Sequence, residues 1–197
     1  MYASAFVLGF HGCDESVGEQ ILAGKAHLTP STNTYDWLGH GIYFWENSPE
    51  RAKQWAEFLA KHPPKLQQRI AKPFVVGAIL DLGNCLDLTE ASSLGLVRRG
   101  LDEMKLGFEA IGIDLPKNEP GARGDKDLLR RKLDCAVINY VHALREEEED
   151  LRPFNSVRGA FFEGRALYEG AKIMAKTHIQ ICIRHRLSIR GYFRPVT

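Results

Sequence analysis

The sequence predicts a single α+β domain in which strands and helices are segregated along the chain rather than alternating. Three observations carry this. Short runs rich in aromatic and β-branched residues occupy 6–10, 42–45 and 74–82, and return at 159–162, 178–183 and 189–193. Between them, residues 90–150 carry apolar side chains at helical spacing and read as a largely helical insertion. No internal repeat and no linker divides the 197 residues, so one domain over 1–197 is expected.

The elements follow in order. Phe6-Val7-Leu8-Gly9-Phe10 reads as a buried strand that turns into a loop at His11-Gly12-Cys13-Asp14. Residues 16–23 place Val17, Ile21 and Leu22 on one helical face, with Gly24 where a C-terminal cap is wanted. Residues 28–41 mix turn formers with Tyr35, Trp37 and Leu38, which suits a packed loop. Ile42-Tyr43-Phe44-Trp45 is a short strand whose alternation sets Phe44 on the face opposite Tyr43 and Trp45. Ser48-Pro49 opens a helix with Ala52, Trp55, Ala56, Leu59 and Ala60 inward, and Pro63-Pro64 ends it. Residues 74–82 form the strongest strand, and 85–88 extend the same sheet. Helices are expected over 90–104 and 127–149, with a Pro/Gly-rich loop at 115–127 between them. The acidic run 146–150 sits at the negative end of the second helix and should fray.

Composition bounds the function. With 44% hydrophobic and 26% charged residues the chain is an ordinary globular protein. Lys+Arg number 26 against Asp+Glu 25, and the net charge of +1 excludes a uniformly basic nucleic-acid coat. The longest apolar run, 74–80, is far too short to span a bilayer, so no membrane partner is expected. The N-terminal apolar run has no positive charge before it and does not read as a secretory signal, which places the protein in the cytoplasm. Cys13, Cys85, Cys135 and Cys182 stand 72, 50 and 47 positions apart, and the seven histidines form no H-x-x-x-H pair, so buried thiols and no metal are expected.

Three segments place polar and aromatic groups at strand ends: Gly9-Phe10-His11-Gly12, Gly39-His40-Gly41-Ile42-Tyr43-Phe44 and Thr177-His178-Ile179-Gln180. Together they resemble the diphtheria-toxin-like and poly(ADP-ribose)-polymerase-like ADP-ribosyltransferases, in which a His-Gly, a Gly-x-Gly-Ile-Tyr-Phe and a late-strand glutamate recur. The middle segment is the specific one, matching over about eighteen residues with Ala52 in the following helix. The resemblance implies a split β-sheet core with surrounding helices and NAD in the cleft. It further implies transfer of ADP-ribose to a protein or nucleic-acid acceptor with release of nicotinamide, an activity that often serves toxins or defence effectors.

In these terms Gly12 would bring its N–H and C=O against the nicotinamide carboxamide, which a side chain would obstruct, and Gly41 would flank the same cofactor site. His11 would donate to the adenine-side ribose hydroxyl, and Tyr43 would lie against the nicotinamide ring. The chain departs from the pattern at the glutamate, where strand register sets Gln180, with His178 two residues before it on the same face. A neutral hydrogen bond contributes about 1 kcal/mol against about 1.5–3 for a charged one, so the exchange lowers the rate by a factor of tens at most. Glu163 and Glu169, in the preceding loop, are the carboxylates able to compensate. Three alternatives stand beside transfer: an NAD glycohydrolase, a catalytically silent NAD-binding module, and a nucleic-acid-binding module. The last rests on Arg184, Arg186, Arg190 and Arg194, with a second basic stretch at 125–132.

Overall fold

A computed structural model describes residues 6–63, 69–121 and 127–196. It is a single α+β domain with a mixed seven-stranded sheet and four helices. The strands are β1 (Phe6–Asp14), β2 (Ile42–Glu46), β3 (Pro73–Asp81), β4 (Cys85–Asp87), β7 (Ser156–Phe161), β8 (His178–Ile183) and β9 (Ile189–Phe193), in spatial order β4-β7-β8-β2-β1-β3-β9. A separate two-stranded ribbon pairs β5 (Asn118–Glu119) with β6 (Arg130–Arg131). All pairings are antiparallel except β4 with β7.

Period-2 alternation sorts the core between the two faces of the sheet. One face carries Phe44, Val76, Ala78, Leu80, Ile181 and Ile183, closed by Ile21 of α1 (Glu15–Leu22). The other carries two groups. Leu38, Val157 and Cys182 pack with Ile138 and Val141 of α4 (Lys132–Glu147), itself packed on α3 (Ala91–Ala110). Phe10 and Trp45 pack with Ala52 of α2 (Pro49–Lys61).

The first strand runs further than the sequence suggests. His11 and Gly12 lie inside β1, not in a following loop, because β3 pairs with it through Asp14. Asp14 then caps α1 directly, accepting from Ser16 N at 3.0 Å and Ser16 Oγ at 2.6 Å, while its second oxygen takes Ala71 N at 2.8 Å and Lys72 N at 3.0 Å. Those donors, Lys72 N first, hold its carboxyl well below the ordinary range. Removing such a cap costs about 0.5–2 kcal/mol, and here two further amides lose their acceptor. Asp14→Ala is therefore expected to lower stability by about 2 kcal/mol at pH 7, read as a lower midpoint in urea unfolding. The folded-state pKa is depressed, so this contribution is present above pH 4 or so and disappears as pH falls through the folded pKa.

Several local expectations shift for identifiable reasons. Helix α4 starts at Lys132, not 127, because the Asn118 side chain accepts from Leu133 N at 2.9 Å and Asp134 N at 3.3 Å, capping the helix from the ribbon. Trp55, expected in the core, is 44% exposed and stacks on Phe58 across 5.7 Å. Segment 85–87 joins the same sheet as expected, but at the far edge, beside β7. Gly24 ends α1 at φ +69°, and Ser48 Oγ caps α2 at Arg51 N. Pro64, part of the expected stop after α2, and residues 125–126 of the basic stretch lie outside the described residues.

Candidate functional site

Sheet order sets the three motif strands side by side as β8-β2-β1. Between the inner two the ladder is short. β1 and β2 pair only at Gly9↔Glu46 and Phe10↔Trp45, whereas β1 pairs with β3 from Phe6↔Asp81 to Asp14↔Pro73. The next hydrogen-bonded β1–β2 pair would be Gly12 opposite Tyr43. There the Tyr43 carbonyl is instead met by His11 Nδ1 at 2.8 Å. Asn47 N–H donates to the Leu8 carbonyl at 2.9 Å, so alternation turns the main-chain groups of Leu8, Phe10 and Gly12 toward β2. The N–H and C=O of Gly12 thus face the opening beyond the last pair.

The His11 geometry fixes its tautomer. A backbone carbonyl only accepts, so Nδ1 carries the proton and Nε2 presents a lone pair. Burial pushes the imidazole pKa down, against the opposing effect of the Tyr43 hydrogen bond, and keeps the ring neutral. Any partner at Nε2 would therefore have to be a hydrogen-bond donor, the reverse of the direction expected for a ribose hydroxyl taking a hydrogen from His11.

Side chains at the site divide between the faces. The register puts Phe10 and Trp45 on one side, with Tyr43, His178 and Gln180, while the His11 ring lies on the other beside Phe44, 5.9 Å between centroids. His11 and Tyr43 therefore meet through a carbonyl, not across one pocket. The Tyr43 hydroxyl donates to Gly39 O at 2.7 Å and accepts from Leu38 N at 3.0 Å, holding the turn before β2. Burial raises its pKa well above the ordinary value. Gly39 is left-handed at φ +79°. At Gly41 a Cβ would stand 2.5 Å from Cys182 Sγ and 2.6 Å from Ile183 O, so its glycine lets β2 close on β8.

Gln180 sits opposite Trp45 in the β2–β8 register, and its Oε1 accepts from the Trp37 indole N–H at 2.7 Å. Trp37 packs so closely on Gly159 that a Cβ there would stand 2.8 Å from its ring. His178 is 8% exposed, stacked on Phe161 at 5.2 Å, with Nδ1 against Lys176 O at 2.6 Å. Its Nε2 is again a lone pair, and burial lowers its pKa, with the Arg51 charge acting in the same direction.

Of the two candidate carboxylates, Glu163 reaches this face. It pairs with Arg51 of α2 at 3.5 Å, both side chains about four-fifths buried. Burial raises its pKa against the pull of Arg51 and Lys176. Glu169 is exposed on the same loop. Sequence reasoning missed Trp37, Trp45 and Arg51 as site residues. The alternation that pairs Tyr43 with Trp45 was the available signal for one of them; nothing local marks the other two.

Two open hollows lie elsewhere. One of about 360 Å³ runs between α3 and α4 beside Trp37 and Arg131, and another of about 380 Å³ lies by His27, Arg186, Arg190 and β9; none of His11, Gly12, Gly41, Tyr43, His178 and Gln180 lines either. Three of the arginines near the C-terminus are neutralised: Arg184 by Glu146 at 2.9 Å, Arg190 by Asp81 at 2.6 Å and Arg194 by Glu19 at 2.7 Å. Among the described residues no cluster of three metal-binding side chains occurs, and no helix is long and apolar enough to cross a membrane. No protein-family model, curated protein or solved structure matches the chain.

Proposed function

We propose that this chain transfers ADP-ribose from NAD to a macromolecular acceptor and releases nicotinamide. One observation carries the reading: the β1–β2 ladder stops after Phe10↔Trp45, His11 takes the Tyr43 carbonyl, and the Gly12 main chain is turned into the resulting gap. An N–H and a C=O side by side match a carboxamide, which offers both an acceptor and donors. His11 contributes through the Tyr43 carbonyl it holds, its ring lying on the face opposite Gln180. Gln180, one strand further, supplies a neutral hydrogen bond to the sugar where positive charge develops as the glycosidic bond breaks. The resemblance in the Gly39–Phe44 segment points to the same reaction.

The catalytically silent alternative also has an observation in its favour, since the Gln180 oxygen is already occupied by Trp37. NAD labelled in its adenosine half separates the readings. Label on macromolecule with free nicotinamide supports transfer; free ADP-ribose indicates a glycohydrolase. Binding by calorimetry without nicotinamide release indicates a silent module, and absence of NAD binding overturns the reading. Gln180→Glu keeps an acceptor for the Trp37 indole while adding charge, so nicotinamide release is expected to rise, by up to about thirtyfold. An unchanged rate in a folded variant removes Gln180 from the site.

A further inference from the structure

Three side-chain nitrogens on the α2 face of the sheet are buried without a hydrogen-bond partner among the described residues: Trp45 Nε1, Arg51 Nε and His178 Nε2. Trp45 is 6% exposed and His178 8%, with 6.4 Å between their ring centroids, and Arg51 is close enough to His178 to disfavour its protonation. A buried donor or acceptor left unmet is unfavourable, so three together mark a place built for something polar. The chemistry of the set is uneven. Trp45 and Arg51 offer N–H donors, while His178, whose Nδ1 proton is committed to Lys176 O, offers a lone pair.

We infer that this cluster is the acceptor subsite, and that the acceptor nucleophile is an aliphatic hydroxyl of a protein, held by Trp45 Nε1–H and Arg51 Nε–H and deprotonated by His178 Nε2. The inference rests on the transferase reading. A hydroxyl has two lone pairs for the two donors and one hydrogen for the one acceptor. A carboxylate or phosphate would set a lone pair against Nε2, and an amine or guanidinium would bring a cation beside Arg51. A nucleic-acid hydroxyl would arrive with phosphates, for which the neutralised Arg184, Arg190 and Arg194 offer little.

Position agrees with role. Trp45 is the register partner of Gln180, so an oxygen on the Trp45 indole lies next to the sugar site. As the hydroxyl oxygen turns one lone pair from its N–H donor to the ribose C1′ and bonds to it, the bond from C1′ to the nicotinamide nitrogen breaks with its electron pair on the leaving ring. The hydroxyl proton passes to His178 Nε2 and then to solvent. The Arg51–Glu163 pair bridges α2 to the loop after β7 across this face, so acceptor entry requires that pair to part.

Besides burial, the groups acting on the titration of His178 are the Lys176 carbonyl, which raises its pKa, and the Arg51 charge from α2, which lowers it; Glu163 faces Arg51, and Lys176, Asp127 and Arg131 act on Glu163 in turn, while Trp45 and Phe161 are neutral. The test uses the full chain with NAD and N-acetylserinamide, N-acetylaspartamide, N-acetylargininamide or a ribonucleoside as probe acceptors. The expected result is faster nicotinamide release with the seryl probe alone and a product stable to neutral hydroxylamine. The rate should rise with pH through a value below 6.5 and be flat above it. His178→Gln should slow transfer about a hundredfold and abolish that pH limb with NAD affinity unchanged. Trp45→Phe, which keeps the ring, should raise the KM for the seryl probe severalfold.

Preference for the aspartyl, arginyl or ribonucleoside probe, or an unaltered pH limb in His178→Gln, overturns the inference while leaving transfer intact. If the parent releases no nicotinamide at all, the transferase reading fails, and the subsite is then judged by NMR. The Trp45 indole N–H and His178 Nε2 signals must shift with N-acetylserinamide and not with N-acetylalaninamide; no shift overturns the subsite as well.

Discussion

Replacing Gly12 with valine is expected to lower stability by about 3 kcal/mol or more, seen as a fall in Tm of about 6–12 °C or beyond. The cause is backbone, not ligand. A Cβ at this position would lie 2.2 Å from the Ala52 carbonyl oxygen and 3.1 Å from Ala56 Cβ, on the inner side of α2. Ala52 and Ala56 are fully buried, and main-chain atoms of a helix do not swing aside as a side-chain tip does, so α2 must lift as a unit from β1. Its other contacts, through Trp45 and Phe10, loosen with it. Gly12→Ala should show the smaller part of the same effect. If both variants unfold at the parental temperature, the close seating of α2 on β1 is wrong.

This result also separates two reasons for one glycine. The family resemblance implies close approach of a nicotinamide carboxamide at Gly12, whereas its missing Cβ makes room for a helix on the other side of the same residue. Loss of activity in a Gly12 variant therefore carries no information about NAD unless the protein is shown to be folded. His11→Ala is cleaner, because it removes a side chain that holds one carbonyl.

Much of the fold was legible because it rests on local signals. Alternation in 42–45 sorts Tyr43 and Trp45 from Phe44, Ser48-Pro49 opens α2, and Gly24 closes α1. What escaped depends on partners distant in sequence. The end of the β1–β2 ladder is set when an imidazole replaces the amide of its own neighbour on the Tyr43 carbonyl, and periodicity has no term for a side chain substituting for main chain. The start of α4 is set by Asn118 from another element. Spacing sets Trp55 inward, yet the inner stripe of α2 is filled by Ala52 and Ala56, since β1 at Gly12 leaves room for nothing larger. The candidate site divides in the same way: Tyr43, His178 and Gln180 share a face by register, while Arg51, Glu163 and Trp37 join them only once the chain has folded.

The second large effect is expected at Arg158. Its guanidinium is bidentate on Glu46, Nε to Oε2 at 2.6 Å and Nη2 to Oε1 at 3.1 Å, and donates through Nη1 to Asp87 Oδ2 at 3.0 Å. It thereby ties β7 to β2 across β8 and to β4 at the sheet edge. The three side chains are 20%, 12% and 25% exposed. Arg158→Met keeps much of the apolar stem but leaves the two largely buried carboxylates of Glu46 and Asp87 without their cation. Breaking a fully buried pair costs about 3–5 kcal/mol, and partial exposure reduces this to about 2–3 kcal/mol, or about 5–10 °C in Tm at pH 7.

The pH dependence gives the sign. Burial pushes the Asp87 carboxyl up, but the Thr89 hydroxyl and N–H together with Arg158 outweigh it, and the net pKa lies below the ordinary value. A depressed carboxyl contributes stability above its unfolded pKa and loses it as pH falls through the folded one. The difference between parent and Arg158→Met is therefore expected to be constant from pH 7 to about 5 and to shrink below pH 4, in urea titrations at each pH. Glu46→Gln tests the same contact from the other end: it keeps one acceptor for the fork and removes the charge, so it should lose less than Arg158→Met. A deficit that grows in acid would mean that the two carboxylates are held apart by something other than this guanidinium.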